Sequence, residues 1–164
     1  MTNNCGSCTM CCKLLGVKEL TKPMNSWCTH CAVGHGCKIY DTRPRSCQEF
    51  ECLYLQHKNK DPLTPVVLRP DKSKVVIWEL DSTRGDRVIK ANVDPGHPMA
   101  WQDDPVHKLL VWFAKNGYTV MATTKARSWH INADGSDREM IMRDEGAIQY
   151  FVRYVDEPAV SERG

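Results

Sequence analysis

Nine cysteines crowd into the first 52 residues of this chain, and the remaining 112 residues contain none. They are Cys5, Cys8, Cys11, Cys12, Cys28, Cys31, Cys37, Cys47 and Cys52. An odd number of cysteines at one end of a chain is not typical of a secreted disulfide framework. Ionised thiols at two-residue intervals repel one another unless a cation lies among them. The crowding therefore indicates a metal site.

Two-residue spacers occur in Cys5-x2-Cys8-x2-Cys11 and again between Cys28 and Cys31. Such a spacer lets a tight turn direct two sulfurs at one ion, with sulfur–metal distances of about 2.3 Å. The 19 residues between Cys8 and Cys28 fit the double-knuckle spacing of tetrahedral zinc. The first run also resembles the ligands of a ferredoxin-type iron–sulfur cluster, although Cys12 stands where that pattern has no cysteine. Zinc is favoured over iron, and the cysteine pairing stays open between two four-cysteine sites and one polynuclear cluster.

The segment from Cys37 to Cys52 carries the most specific pattern, with Ile39-Tyr40, Arg43-Pro44 and Phe50 at fixed positions between cysteines. Together with the Cys-x2-Cys-x2-Cys-Cys run and Trp27-Cys28, it closely resembles a zinc- or iron-chelating family of small bacterial cysteine-cluster proteins. The resemblance covers residues 5–52, about a third of the chain.

The resemblance implies that seven cysteines form the core of the metal site. These are Cys5, Cys8, Cys11, Cys12, Cys28, Cys37 and Cys47. Cys31 and Cys52 are similar to additions in some relatives, and we expect them within reach of the same centre. The implied function is a metal-binding protein with a structural or protein-interaction role. Some larger relatives join this domain to protein-modifying methylase activity, so the alternative is an iron–sulfur protein with redox or protein-modifying activity.

Charged and imidazole side chains near the cysteines are secondary candidates. Four thiolates around a divalent ion carry a net charge of −2, which a guanidinium would offset, and the resemblance favours Arg43 over Arg45. His30 and His35 are weaker ligand candidates because a thiolate binds zinc more strongly. Three lysines form a basic stretch that we expect to be a solvated face. They are Lys13, Lys18 and Lys22.

Cysteine-rich and cysteine-free parts divide the chain into a metal-binding module at 1–60, an α+β part at 61–158 that shares its core, and a frayed tail at 159–164. Val75–Leu80 is rich in β-branched residues and predicts a strand, with Arg87–Val93 as its hairpin partner. Shorter strand candidates follow. They are Tyr118–Thr123, Ser128–Asn132, Glu139–Arg143 and Tyr150–Val155, with a turn at Asp134-Gly135.

One amphipathic helix is expected from Pro105 to about Asn116, capped by Asp103 or Asp104 and ended by Gly117. The fold class is therefore α+β: a small metal-nucleated module followed by antiparallel strands with one main helix. The tryptophans after Pro62 are expected mostly in the core, with Trp101 as the exception. Trp101 lies in the loop before this helix, and we expect that loop to pack over the metal cluster.

The remaining composition limits the choice of partners. The net charge of +2 is too small to indicate a polyanion-binding protein, so nucleic acid is not the expected partner. The sequence contains no apolar run long enough for a membrane span and no signal-peptide pattern at its start. A cytoplasmic protein with an unknown protein or small-molecule partner is the expectation, and whether it is an enzyme stays open.

Overall fold

The computed structural model describes residues 6–61, 63–81, 85–145 and 148–158. Cys5 and the predicted frayed tail lie outside the described residues. The helices are α1 (Met10–Leu14), α2 (Arg45–Glu49), α3 (Leu53–Lys60), α4 (Pro70–Ser73) and α5 (Val106–Lys115). The strands are β1 (Cys31–Ala32), β2 (Gly36–Cys37), β3 (Val75–Asp81), β4 (Arg87–Val93), β5 (Thr119–Thr123), β6 (Ser128–Ile131), β7 (Asp137–Glu145) and β8 (Ile148–Tyr154). Short 3₁₀ helices span Lys18–Leu20, Tyr40–Thr42, Val66–Leu68 and Ala100–Gln102.

A six-stranded sheet, in the order β3-β4-β5-β6-β7-β8, organises the cysteine-free part. The predicted hairpin is confirmed, since β3 and β4 pair antiparallel with Val75 opposite Val93. The four shorter strand candidates correspond to β5 through β8, with ends shifted by a few residues. The predicted Asp134-Gly135 turn is also confirmed, because Gly135 adopts a left-handed φ of 88° and its N–H donates to the Asn132 carbonyl.

The sheet is mixed, and the expectation of antiparallel strands throughout is wrong at one junction. Strands β4 and β5 run parallel, with Ile89 opposite Val120. Between them the chain passes through α5, which returns it to the end of the sheet from which β4 started. A crossover of this kind is what parallel neighbours require. The α+β class holds, with a mixed sheet and a second, small antiparallel sheet of β1 and β2.

Helix α5 packs one face against the sheet through the buried residues Val106, Leu110 and Phe113, which recur at three- and four-residue steps. Gly117 follows the helix with φ 84°, as predicted for its end. The predicted aspartate cap is wrong. The residue before the helix is Pro105, which makes no side-chain cap hydrogen bond, and Asp104 instead pairs with Lys108 at 2.7 Å.

Strand β3 contributes to two hydrophobic cores because its side chains alternate between the two faces of the sheet. Val75 and Ile77 belong to the main core with α5, which also includes Leu53 from α3. Val76 packs on the other face against Met10 and Leu14 of α1. The cysteine-rich segment is therefore attached to both faces of one strand.

Trp101 lies in the main core, fully buried, with its ring 5.3 Å from that of Trp129. The expectation that Trp101 stands apart from the core is therefore wrong. The 3₁₀ helix Ala100–Gln102 folds this segment back onto the sheet, and indole burial stabilises that arrangement. Among the helices of the described ranges, none has both the length and the apolar character needed to cross a bilayer.

Candidate metal centre

Helix α1 carries two adjacent cysteines next to its buried face. Met10 and Leu14, four residues apart, face the sheet, which leaves Cys11 and Cys12 half-buried between them. The helix is short, because Leu15 turns to an extended conformation after closing the last turn on the Cys11 carbonyl. Its position is fixed by packing on Val76 rather than by helix propensity.

A backbone hydrogen bond brings the second group of cysteines to α1. The N–H of Cys28 donates to the Cys12 carbonyl at 3.0 Å, and the N–H of Cys31 closes a turn on the Cys28 carbonyl at 3.0 Å. Strand β1 then places Cys31 opposite Cys37 of β2. The Gly34 N–H donates to Thr9 Oγ1 at 3.2 Å, which ties this hairpin to the start of α1.

Cys12 is the cysteine of this group whose ionisation is favoured by its neighbours. Its pKa falls to about 6, chiefly because its sulfur accepts a hydrogen bond from Cys11, and a second such bond from Cys31 acts in the same direction. Burial, together with negative charge on Cys12, raises the pKa of Cys31 to about 11. Of these two sulfurs, negative charge is therefore favoured on Cys12 and disfavoured on Cys31.

Cys47, on α2, belongs to the same neighbourhood. Burial raises the pKa of Cys47, and charge on Cys12 and Cys28 acts in the same direction. We call the group of mutually interacting cysteines the thiol cluster. It comprises Cys11, Cys12, Cys28, Cys31 and Cys47.

Lys22 is the residue that the sequence argument missed. The expectation of a solvated face is wrong for Lys22, which is only 8% exposed. Its ammonium donates to the carbonyls of Lys13 at 3.4 Å and Pro23 at 3.0 Å, and also to that of Leu15. Burial lowers the pKa of Lys22, while nearby thiols act in the opposite direction. Those thiols are Cys11, Cys12, Cys28 and Cys47.

The other two lysines of the basic stretch differ from each other. Lys18 is exposed, as expected for a solvated face. Lys13 instead forms an ion pair with the buried Asp94 at 2.7 Å, and its ammonium lies 5.7 Å from the centre of the Trp27 ring. No sequence pattern marks Lys13 or Lys22, because their partners are backbone carbonyls and a residue 81 positions away.

Arg43 lies close enough to Cys12 to lower the pKa of that thiol. Its guanidinium sits 3.7 Å from the centre of the Tyr40 ring, and Nε donates to the Tyr40 carbonyl at 2.9 Å. Arg45 points to solvent and pairs with Glu49 on its own helix. Of the two arginines, Arg43 is half-buried near Cys12, whereas Arg45 is exposed.

Cys8 has surroundings of its own. Burial raises the pKa of Cys8, and the backbone N–H groups of Met10 and Asp71, which donate to its sulfur, oppose this only in part. Cys8 and Cys52 both pack against the apolar cluster formed by α1 and β3. Near Cys8, the Arg69 guanidinium donates two hydrogen bonds of 2.6 Å to the Asp71 carboxylate. These two cysteines therefore lie against the small core between α1 and β3.

The eight cysteines from Cys8 to Cys52 are thiols, not disulfides. Over the described ranges, no three His, Cys, Asp or Glu side chains stand close enough together to hold one metal ion. The donor chemistry nevertheless suits a thiophilic ion, because cysteines from α1, from the turn before β1 and from α2 lie near one buried ammonium. His30 is half-buried and His35 exposed on the same hairpin.

No family model matches the chain, and no curated protein and no solved structure is significantly similar to it.

Proposed function

We propose that this protein binds zinc or iron through thiolates of its cysteine-rich segment, and that it belongs to the zinc- or iron-chelating family that its motifs resemble. The observation that carries the proposal is the thiol cluster, in which five cysteines from three separate segments interact with one another and four of them also with one buried ammonium. Crowded, half-buried thiols are costly to ionise unless a cation compensates them.

The cysteines proposed to hold the metal include all nine of the sequence. Those of the thiol cluster are the primary candidates, with Cys37 beside Cys31 in the hairpin. Cys5, Cys8 and Cys52 are the remaining candidates. A resident zinc ion would stabilise the fold of a segment that has few apolar residues of its own.

An iron–sulfur centre is the second candidate, and one observation favours it. The thiol cluster contains five cysteines, one more than a tetrahedral zinc ion binds. Surplus thiolates suit a polynuclear centre with several metal ions, and such a centre would supply electron transfer. Redox or protein-modifying activity would then replace the structural role.

The absence of disulfides among the described cysteines suits a reducing compartment, so we place the protein in the cytoplasm. An unknown protein or a small molecule remains the proposed partner, rather than a membrane or a nucleic acid.

Elemental analysis and an absorption spectrum of anaerobically purified protein test this function. Zinc gives a colourless protein with stoichiometric metal, whereas iron–thiolate charge transfer colours it. The matched variants Cys8→Ser and Cys31→Ser rank the ligands. The family pattern predicts the larger loss of metal for Cys8→Ser, whereas membership of the thiol cluster predicts it for Cys31→Ser. Wild-type protein that contains no metal and takes up neither Zn²⁺ nor Fe²⁺ would contradict the proposal.

A further inference from the structure

A buried ammonium needs a negative partner, and the described part of the chain offers Lys22 no carboxylate. Lys22 is absent from the ion pairs found there, although Lys13, nine residues earlier, has Asp94. The three carbonyls that Lys22 bonds orient its ammonium without neutralising its charge. Buried charges in proteins are paired or coordinated, because an isolated one is costly.

The thiol cluster can supply this negative charge, because cysteines lose their protons when they bind a metal ion. Four of its five members lie within electrostatic range of the Lys22 ammonium. We propose that Lys22 is the counter-cation of the metal centre and a positioning residue for its ligands, an inference that rests on the proposed function. Lys22 would offset the excess negative charge of a thiolate–metal complex without binding the metal itself.

The hydrogen bonds of Lys22 explain how it would position the ligands. Two of its carbonyl partners, Lys13 and Leu15, lie at the end of α1, directly after Cys11 and Cys12. The third is Pro23, at the start of the segment that leads to Cys28. A single ammonium therefore joins the backbone of the two stretches that supply these cysteines.

Charge is the property that distinguishes this role from a structural one. Four thiolates around a divalent ion carry a net charge of −2, and an adjacent ammonium reduces this to −1. At 8% exposure the ammonium acts through a medium less polarisable than water, so its attraction for thiolates is stronger than that of a surface lysine. Arg43 supplements Lys22, but its guanidinium is half-buried over Tyr40.

Zn²⁺ affinity of the full chain, measured by competition with a chromophoric chelator, tests the proposal with three variants. Lys22→Gln keeps hydrogen-bond donors but removes the charge, and Lys22→Arg keeps the charge. Lys18→Gln, at an exposed position four residues away, is the matched control. We expect Lys22→Gln to weaken binding at least tenfold, about 1.4 kcal/mol. Lys22→Arg should stay within about threefold of wild type, and Lys18→Gln should not change.

Urea unfolding of the metal-free proteins separates the two roles. A purely structural Lys22 would lower the stability of metal-free and metal-bound protein equally and leave the affinity unchanged, which would overturn the proposal. A Lys22→Gln protein that stays unfolded in excess Zn²⁺ would also overturn it. If wild-type protein binds no metal, the proposed function itself is contradicted. If wild type and Lys22→Gln bind Zn²⁺ with equal affinity, only the role of Lys22 is contradicted.

Discussion

The ion pair between Lys13 and Asp94 connects the helix that carries Cys11 and Cys12 to the end of strand β4. The Asp94 side chain is only 7% exposed, and its Oδ1 accepts hydrogen bonds from Lys13 Nζ at 2.7 Å and from the Gly96 N–H at 3.0 Å. Asp94→Asn keeps the size of the side chain and an acceptor for Gly96, but removes the charge that Lys13 faces. We predict that this substitution destabilises the protein.

The magnitude follows from the exposure of the two partners. A hydrogen bond to a charged group contributes about 1.5–3 kcal/mol when it is well shielded from water. Lys13 keeps 25% of its side chain exposed, so solvent screens part of the interaction. The expected loss for Asp94→Asn is therefore about 1–2 kcal/mol in the free energy of unfolding at pH 7.

The pH dependence has a definite sign. Burial tends to raise the pKa of Asp94, but the hydrogen bonds from Lys13 and Gly96 outweigh it, and the pKa is lowered. A depressed folded-state pKa means that the stabilisation is present above the unfolded-state value of about 3.9 and disappears as the pH falls through the folded-state pKa. Wild type and Asp94→Asn should therefore differ at pH 7 and approach each other below about pH 4.

Urea unfolding followed by far-ultraviolet circular dichroism, with reductant and chelator present, measures both effects. The exposed pair of Arg45 and Glu49, with side chains 84% and 61% exposed, provides the control, and Glu49→Gln should change stability by less than about 0.5 kcal/mol. A double-mutant cycle with Lys13→Met isolates the coupling between Lys13 and Asp94. An Asp94→Asn protein as stable as Glu49→Gln at pH 7 would refute the reasoning.

Three further predictions concern the core, the thiol cluster and the metal. Leu110→Ala should cost about 3 kcal/mol in urea unfolding because the side chain is fully buried, whereas Trp112→Ala on the exposed face of α5 should cost less than about 1 kcal/mol. In metal-free protein, iodoacetamide labelling read by peptide mass spectrometry should rise at lower pH for Cys12, whose pKa is lowered to about 6, than for Cys31, and equal profiles would contradict this order of pKa values. Chelation should reduce amide protection in residues 6–52 while β3–β7 stay protected at least in part, and unchanged exchange after complete metal removal would contradict a metal-stabilised segment.

The strands β3 to β8 and helix α5 could be predicted because their local patterns match their environments. The strands β3 and β4 are rich in β-branched residues, and α5 carries apolar residues at helical steps. The order and direction of the strands could not be predicted in the same way. Whether β5 pairs with β4 in parallel depends on where α5 docks, which periodicity does not encode.

The cysteine-rich segment allowed a chemical prediction but hardly any structural one. Its helices α1 and α2 have five residues each, too short to leave a periodic signal. Lys22 illustrates the limit, because its burial results from three carbonyls that converge only after α1 has packed on the sheet. The identity of the candidate ligands follows from residue type and spacing, whereas the charge that faces them follows from the fold.

The two-sided packing of β3 determines how loss of the metal should spread. Val76 is held by α1, and Trp78 meets Phe50 with ring centres 6.0 Å apart, so one face of the strand depends on the cysteine-rich segment. On the opposite face, Leu53 packs with Val75 and Ile77 in the main core. A disturbed thiol cluster would therefore weaken the first face directly, while α5 and the remaining strands still hold the second. For this reason we expect β3 to lose protection before β4 and β5 when the metal is removed, rather than the whole sheet unfolding at once.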